Sequence, residues 1–347
     1  MNHEIYKGKN VFITGHSGFK GSWLSYWLLQ LGANVTGYSL APEELSHFKL
    51  LNLSMKNYFA DINDEVKLTN AIKESKPDII FHLAAQPLVR DSYDNPIYTY
   101  ETNVIGSLKV YSAALKNNVP AIVSVTTDKV YENHEWMWGY RETDGLGGHD
   151  PYSSSKACVE LMTQSFQKSF LYDHKMFLAT ARAGNVIGGG DWARDRLIPD
   201  FVRNAAQKKV TQIRNPKSVR PWQHVLEPLN GYLMLGEKLI MKNTEYCSSF
   251  NFGPDASDVQ SVEDMCKIAH KSWSDIKTEI PFGVSDEKNI KHEAGLLKLD
   301  ITKARELLNW RPKWDSEIAT EKTINWYKNY YSTGKISTNL DLAEFLK

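Results

Sequence analysis

The sequence predicts an α/β protein built on a doubly wound parallel sheet, for three reasons. Strand-like and helix-like segments alternate through the first half. A glycine-rich loop follows the first strand-like run and opens the first helix. The runs themselves, such as NVFIT and AIVSV, are nearly continuously apolar, as strands covered on both faces are.

The elements follow in order. Residues 10–14 are β-rich and apolar, and a helix is expected near 19–31. A second strand falls at 34–38 and a short third at 58–61. A helix over 64–75 stops before Pro77, and a fourth strand covers 78–83. A long helix spans 96–117, a fifth strand 121–126, a helix 152–171 and a sixth strand 175–181. Such alternation joins parallel strands through crossover helices.

The second half is less regular, and begins with a glycine- and charge-rich stretch at 184–196. It predicts a smaller α+β domain at the carboxyl ends of the sheet. The expected division is 1–183, joined by a later helix near 224–241, and 184–347. Residues 132–150, rich in Gly, Trp and charge, look like a mobile loop.

Composition narrows the function. The 347 residues are 42% hydrophobic and 24% charged, which excludes a disordered or fibrous chain. Lys plus Arg and Asp plus Glu are each 41, so no global field holds a polyanion, and nucleic acid is not an expected partner. No apolar run approaches the roughly 18 residues of a membrane span. The first residues lack the apolar core of a signal peptide. Cys158, Cys247 and Cys266 are far apart and read as reduced thiols, so a cytoplasmic protein is expected. No His or Cys cluster has metal-ligand spacing, and no metal is expected.

The loop Thr14-Gly15-His16-Ser17-Gly18-Phe19-Lys20-Gly21 carries glycines at spacing three and three. Gly15 suits a tight turn, Gly18 a close approach to a pyrophosphate, and Gly21 close strand–helix packing. The helix start then offers N–H groups and partial positive charge to phosphates. The second strand ends Gly37-Tyr38-Ser39-Leu40, with no carboxylate until Glu43 and no Arg. NAD and NADP are therefore weakly distinguished. Asp61 is placed either to meet an adenine or to cap the next helix.

Tyr152-Ser153-Ser154-Ser155-Lys156 is YxxxK, which puts phenol and ammonium on one helix face. Lys156 is expected to lower the Tyr152 pKa and make a general base. At the end of the fifth strand, Thr127 is the choice for a third member, with Thr126 the runner-up. Asp128 and Lys129 are either part of that site or a solvated loop pair.

The strings TGHSGFKGSWL, HLAAQP, TTDKVY, YSSSK, RAGNVIGGGDW and RPWQHV, in this order, resemble the extended short-chain dehydrogenase/reductases that act on nucleotide sugars. The likeness covers nearly the whole chain. Within that family, Asp128-Lys129 departs from the Asp-Glu of most 4,6-dehydratases and resembles their CDP-glucose branch.

The resemblance implies a Rossmann domain that binds NAD and a second domain that binds the nucleotide sugar. It places NAD on Gly15, Ser17, Gly18, Phe19, Lys20, Gly21, Asp61, Ile62, Leu83, Ala84 and Ala85, with Tyr152 and Lys156. It implies that Tyr152 takes the O4 proton while the C4 hydride passes to the nicotinamide. Asp128, held protonated, then serves the leaving C6 hydroxyl. With Glu absent, Lys129 is the candidate base at C5, provided burial or a nearby cation such as Lys156 keeps it neutral. The product would be a 4-keto-6-deoxy sugar for surface polysaccharide such as lipopolysaccharide O-antigen.

Six of the ten arginines (Arg182, Arg194, Arg196, Arg203, Arg214 and Arg220) fall in one segment, and at least two are expected to be ordinary surface residues. Guanidinium forks suit a pyrophosphate. The resemblance puts Arg220 on the pyrophosphate, Arg214 over cytosine, Asn185 at the phosphates, His292 and Glu293 at the nucleoside ribose, and Gln86 and Arg194 in the same substrate set. His82 reads as a packed histidine. The helices 96–117 and 152–171 imply a homodimer, with a tetramer as the alternative. An epimerase or a reductase on the same scaffold is the enzymatic alternative, and a cofactor-sensing regulator the non-enzymatic one. An epimerase needs no acid at C6 and no base at C5, so Asp128-Lys129 argues against it.

Overall fold

A computed structural model of the chain describes residues 3–171, 173, 176–213, 215–258, 260–279 and 296–347. Its centre is a seven-stranded parallel sheet. The strands are β1 (Asn10–Thr14), β2 (Asn34–Ser39), β3 (Lys56–Phe59), β4 (Ile79–His82), β5 (Ala121–Val125), β6 (Phe177–Ala183) and a last one at Ser249–Phe252. Between them run α1 (Phe19–Gln30), α2 (His47–Leu51), α3 (Glu65–Ser75), α4 (Val89–Asp94), α5 (Pro96–Tyr100), α6 (Gly106–Lys116) and α7 (Pro151–Phe170).

In space β4 lies beside β1, so the chain winds outward through β2 and β3 and then, from β4, in the opposite direction. The reversal opens a crevice at the carboxyl ends of β1 and β4, where α/β sheets bind ligands. All of β4 and β5 is buried, as their apolar runs require.

The second half adds β7 (Val186–Ile187), α8 (Leu197–Ala206), β8 (Val210–Gln212), β9 (Val219–Arg220), β10 (Gln223–His224), α9 (Leu226–Ile240) and β11, the Ser249–Phe252 strand. Then come β12 (Gln260–Ser261), α10 (Val262–Ser272), β13 (Lys277–Glu279), α11 (Thr302–Leu308), α12 (Ser316–Thr333) and α13 (Thr338–Phe345). Helix α9 packs on β5 and β6, and β11 pairs with β6. Both therefore belong to the central layer, and β11 was not marked as a sheet strand by its sequence.

Two expectations are modified. The helix expected over 96–117 is α5, a π-helical turn at Glu101–Ile105, and α6. The turn buries Asn103, whose side chain accepts from the Gln86 N–H (2.8 Å) and donates to Ser155 Oγ (2.8 Å). It thereby ties the loop after β4 to α7. The segment 132–150, expected to be mobile, is held down. Tyr140 stacks on Tyr131 and Trp136, with centroids 5.1 and 5.2 Å apart. The Tyr140 backbone also bonds Lys298 and Asp300.

Two further contacts bind distant parts of the chain. His47 joins Ser22 of α1 (2.8 Å) to Thr338 of α13 (2.8 Å). His3 bonds Asn230 and Glu237 of α9.

Candidate active site

One cleft of about 1280 Å³ runs across the crevice, enough for two ligands end to end. Gly15, Ser17, Gly18, Phe19, Lys20, Gly21, Asp61, Ile62, Leu83, Ala84 and Ala85 line one arm. A Cβ on Gly15, at φ +76°, would stand 2.7 Å from the Ala84 nitrogen, and one on Gly21 would stand 2.1 Å from the Gly15 carbonyl oxygen. The backbone is folded too tightly for side chains there. Helix α1 starts at Gly18 with no side-chain cap, so its first N–H groups are open to an anion. The arm fits a dinucleotide.

Ser39 donates to Ser17 Oγ (2.7 Å) at the end of β2, where a ribose-binding acid would stand. Asp64, not Asp61, caps α3. Asp61 accepts from the Asn63 N–H (2.8 Å) and remains on the cleft wall.

The centre is built by β5 and α7. Asp150 caps α7 through the Ser153 N–H (2.9 Å), and Pro151 starts the helix. Tyr152 and Lys156 then stand one turn apart on the cleft side, with Lys156 Nζ 3.3 Å from the Val125 carbonyl oxygen. Thr126 also lines the cleft, but its hydroxyl is taken up in donating to buried Glu160 (2.5 Å). Thr127 instead donates to Asp128 Oδ1 (3.0 Å), and its hydroxyl draws the Tyr152 phenol pKa downward. Of the two threonines, Thr127 is the one whose hydroxyl contacts Asp128.

Electrostatics corrects one expectation. Lys156 is not among the leading influences on the Tyr152 phenol. Burial pushes the phenol up to about 12; Thr127 opposes the rise first and Arg196 more weakly. Lys156 is itself pushed down to about 8 by burial, so its cationic form is weakened.

Asp128 is buried, its carboxyl is raised by burial, and Lys129, Thr127, Arg220 and Lys20 only partly offset this. Its Oδ2 has no hydrogen-bond partner. Burial of this kind favours the protonated form of a carboxyl, the form that can donate. Lys129 is half-buried on the same wall. Lys20, read from the sequence only as part of the loop, reaches the centre. Burial pushes it down to about 8, helped by Arg196 and Lys156 and opposed by Asp128 and Asp191.

The other arm holds Asn185, Arg194, Arg196 and Arg220. Arg196 donates to Asp191 (2.6 Å), which raises the guanidinium pKa. In the sequence Arg196 stands out only as a member of the arginine cluster; its signal was the nearby Asp191 and the glycine stretch. Arg182 is buried against Glu160 (2.9 Å), and Arg203 pairs with Asp200 (2.7 Å), so neither reaches the cleft.

Gln86 is not on the cleft wall. Its amide donates to Leu88 O and Thr99 Oγ1 and accepts from the Leu88 N–H, so it shapes the loop from beneath. Arg214, His292 and Glu293 lie outside the described residues. His82 sits between Thr14 (2.6 Å) and Ser107 (2.8 Å), and burial pushes it down to about 3, as a packed neutral ring. Among the described residues no group of His, Cys, Asp and Glu could hold a metal. No helix among them is long and apolar enough to cross a membrane.

Comparison with known proteins extends this geometry. The chain is 46% identical to the CDP-glucose 4,6-dehydratase of Salmonella typhimurium, over 94% of this chain and 93% of that one. An epimerase structure from Methanothermobacter thermautotrophicus superposes with a TM-score of 0.81 at 25% identity, covering 95% of each chain. The dTDP-glucose 4,6-dehydratase of Streptomyces venezuelae, solved with NAD and TYD bound, has the same fold (TM-score 0.78, 22% identity, 93% of this chain and 98% of that one). The sequence profile of the GDP-mannose 4,6 dehydratase family matches residues 12–323, a span that takes in the glycine loop, the YxxxK helix and the arginine-lined arm: the chain belongs to that family.

Proposed function

We propose that the protein is an NAD-dependent lyase that removes water from CDP-D-glucose to give CDP-4-dehydro-6-deoxy-D-glucose. The observation that carries this reading is Asp128. A buried carboxyl with a raised pKa and a free oxygen, beside Tyr152 and Lys129, suits an elimination better than a simple inversion at C4. The 46% identity to a CDP-glucose 4,6-dehydratase supports the substrate.

NAD, when bound, supplies a hydride acceptor at C4 and a hydride donor at C6. The residues that would hold it are Gly15, Ser17, Gly18, Phe19, Lys20 and Gly21 with Asp61, Ile62, Leu83, Ala84 and Ala85. Tyr152 takes the O4 proton, and Thr127 and Arg196 oppose the effect of burial on its phenol. The 4-ketone acidifies C5. Lys129 removes that proton and afterwards returns it to C5, and Asp128 donates its own to the C6 hydroxyl, which departs as water. Arg196, Arg220 and Asn185 hold the diphosphate, as their place on the second arm suits.

The same reading divides the chain into a cofactor unit, 1–183 with α9 and β11, and a sugar-nucleotide unit made of the rest of 184–347. It includes a homodimer through α5–α6 and α7, where Ile97, Ile105, Leu108, Leu161 and Phe170 are exposed. Three free thiols suit the cytoplasm. The product is a precursor type for surface deoxysugars such as those of O-antigen.

The test is mass spectrometry of CDP-glucose, dTDP-glucose, UDP-glucose and GDP-mannose after incubation with catalytic NAD. Loss of one water from CDP-glucose alone is expected. No mass change with any of them, with NAD shown to bind, overturns the reading.

A further inference from the structure

We infer that Gln212 reads the nucleobase as a hydrogen-bond acceptor and that Glu279 locks it in that orientation, which selects cytosine over uracil or thymine. The inference rests on the nucleotide-sugar reading above and deepens it.

Gln212 lines the second arm of the cleft, with Ile213, Asn215, Ser218 and Arg220. A sugar at Tyr152 and a diphosphate at Arg196 and Arg220 leave the nucleoside to this end of the arm. Here β8 and β13 run parallel, with Gln212 opposite Glu279. Gln212 Nε2 donates to Glu279 Oε2 at 2.8 Å.

A carboxylate can only accept, so this contact fixes which end of the amide is nitrogen. An unrestrained glutamine is two-faced. It can accept from a base amino group or, turned over, donate to a base carbonyl. Turning it over here would set the amide oxygen against the Glu279 carboxylate.

The platform beneath is fixed. Thr211 Oγ1 accepts from Asn204 Nδ2 (2.9 Å), and the Ile213 N–H donates to the Glu279 carbonyl (2.8 Å). Thr211 and Ile213 are buried. The side chain that remains on the cleft wall therefore offers Oε1, with the negative charge of Glu279 behind it. Cytosine carries an N4 amino group, a donor, where uracil and thymine carry the O4 acceptor. The locked amide satisfies the first and leaves the second facing an oxygen, the kind of mismatch that sites discriminate well.

The test compares kcat/KM for CDP-glucose and UDP-glucose in the wild type, Gln212→Leu and Glu279→Gln, all loaded with NAD. Titrations with CDP and UDP give an independent reading without turnover. Both side chains are exposed, so folding is not at stake. Gln212→Leu is expected to lower kcat/KM for CDP-glucose about tenfold or more and to leave UDP-glucose nearly unchanged. Glu279→Gln frees the amide to turn, and is expected to narrow the CDP-to-UDP ratio about tenfold, mainly by improving UDP. An unchanged ratio in both variants, by turnover and by titration, overturns the inference while leaving the dehydratase intact. A wild type with no preference for the cytidine substrate overturns the base assignment itself, and the lock with it.

Discussion

A Cβ placed on Gly184 would lie 3.1 Å from Oδ2 of Asp128, the carboxyl oxygen that has no partner. The space in front of the acid is thus kept open by a residue without a side chain. Asp128→Asn preserves shape and removes the proton. It should slow water loss about 10²- to 10⁴-fold, the usual worth of a general acid. The check is the rate of dehydrated product by mass spectrometry, with NAD binding measured alongside; an Asn variant at wild-type rate removes Asp128 from the chemistry.

Lys129 is tested at C5, the atom it is proposed to serve. In D₂O, Lys129→Met should stop deuterium entering C5 while NAD still binds. Exchange at the wild-type rate would show that another group abstracts the C5 proton.

The glycine loop makes a stability prediction. A methyl group at Gly21 would stand 2.1 Å from a backbone oxygen that cannot step aside. Gly21→Ala should cost about 1–3 kcal/mol, by forcing strand and helix apart. It should also weaken NAD binding. Thermal denaturation with and without NAD measures both.

Asp341 sets a pH dependence. Burial pushes its carboxyl up to about 7 from an ordinary value near 3.8, Lys322 opposing, and its Oδ2 has no partner. The folded state therefore holds a proton that the unfolded chain releases. The stability this gives is full below pH 3.8 and is lost as pH rises toward 7. Asp341→Asn should flatten the fall in Tm between pH 5 and 8, and be more stable than wild type at pH 8 by an amount on the order of 1–3 kcal/mol. Parallel Tm–pH curves for the two proteins would refute this.

The exposed apolar face is tested by charge. Leu161→Glu should convert the proposed dimer to monomers in sedimentation velocity, since a buried unpaired carboxylate is costly. An unchanged sedimentation coefficient would move the interface elsewhere.

Much of this was legible in the sequence because it depends on local pattern. The parallel sheet is written in apolar runs, the loop in its glycines, and the α7 pair in a four-residue spacing. What escaped depends on distant neighbours. Burial sets the Tyr152 pKa, and nothing in YxxxK reports burial. Gln86 stands beside the site in sequence, yet Leu88 and Thr99 use up its amide. Strand β11 is only four residues long, and its place is fixed by pairing with β6, about 70 positions away. The π turn at Glu101–Ile105 serves Asn103, whose partners lie on two other elements.

The His47 bridge and the seating of α9 also bear on how such enzymes can be recombined. A chimera with a single crossover near residue 184 would take its α1 from one parent and the α13 that His47 ties to α1 from the other. It would likewise set one parent's β5 and β6 against the other's α9 and β11. Exchanging the proposed sugar-nucleotide half as a working module therefore requires three further crossovers, two to return α9 through β11 and one to return α13 to the parent that supplies the sheet.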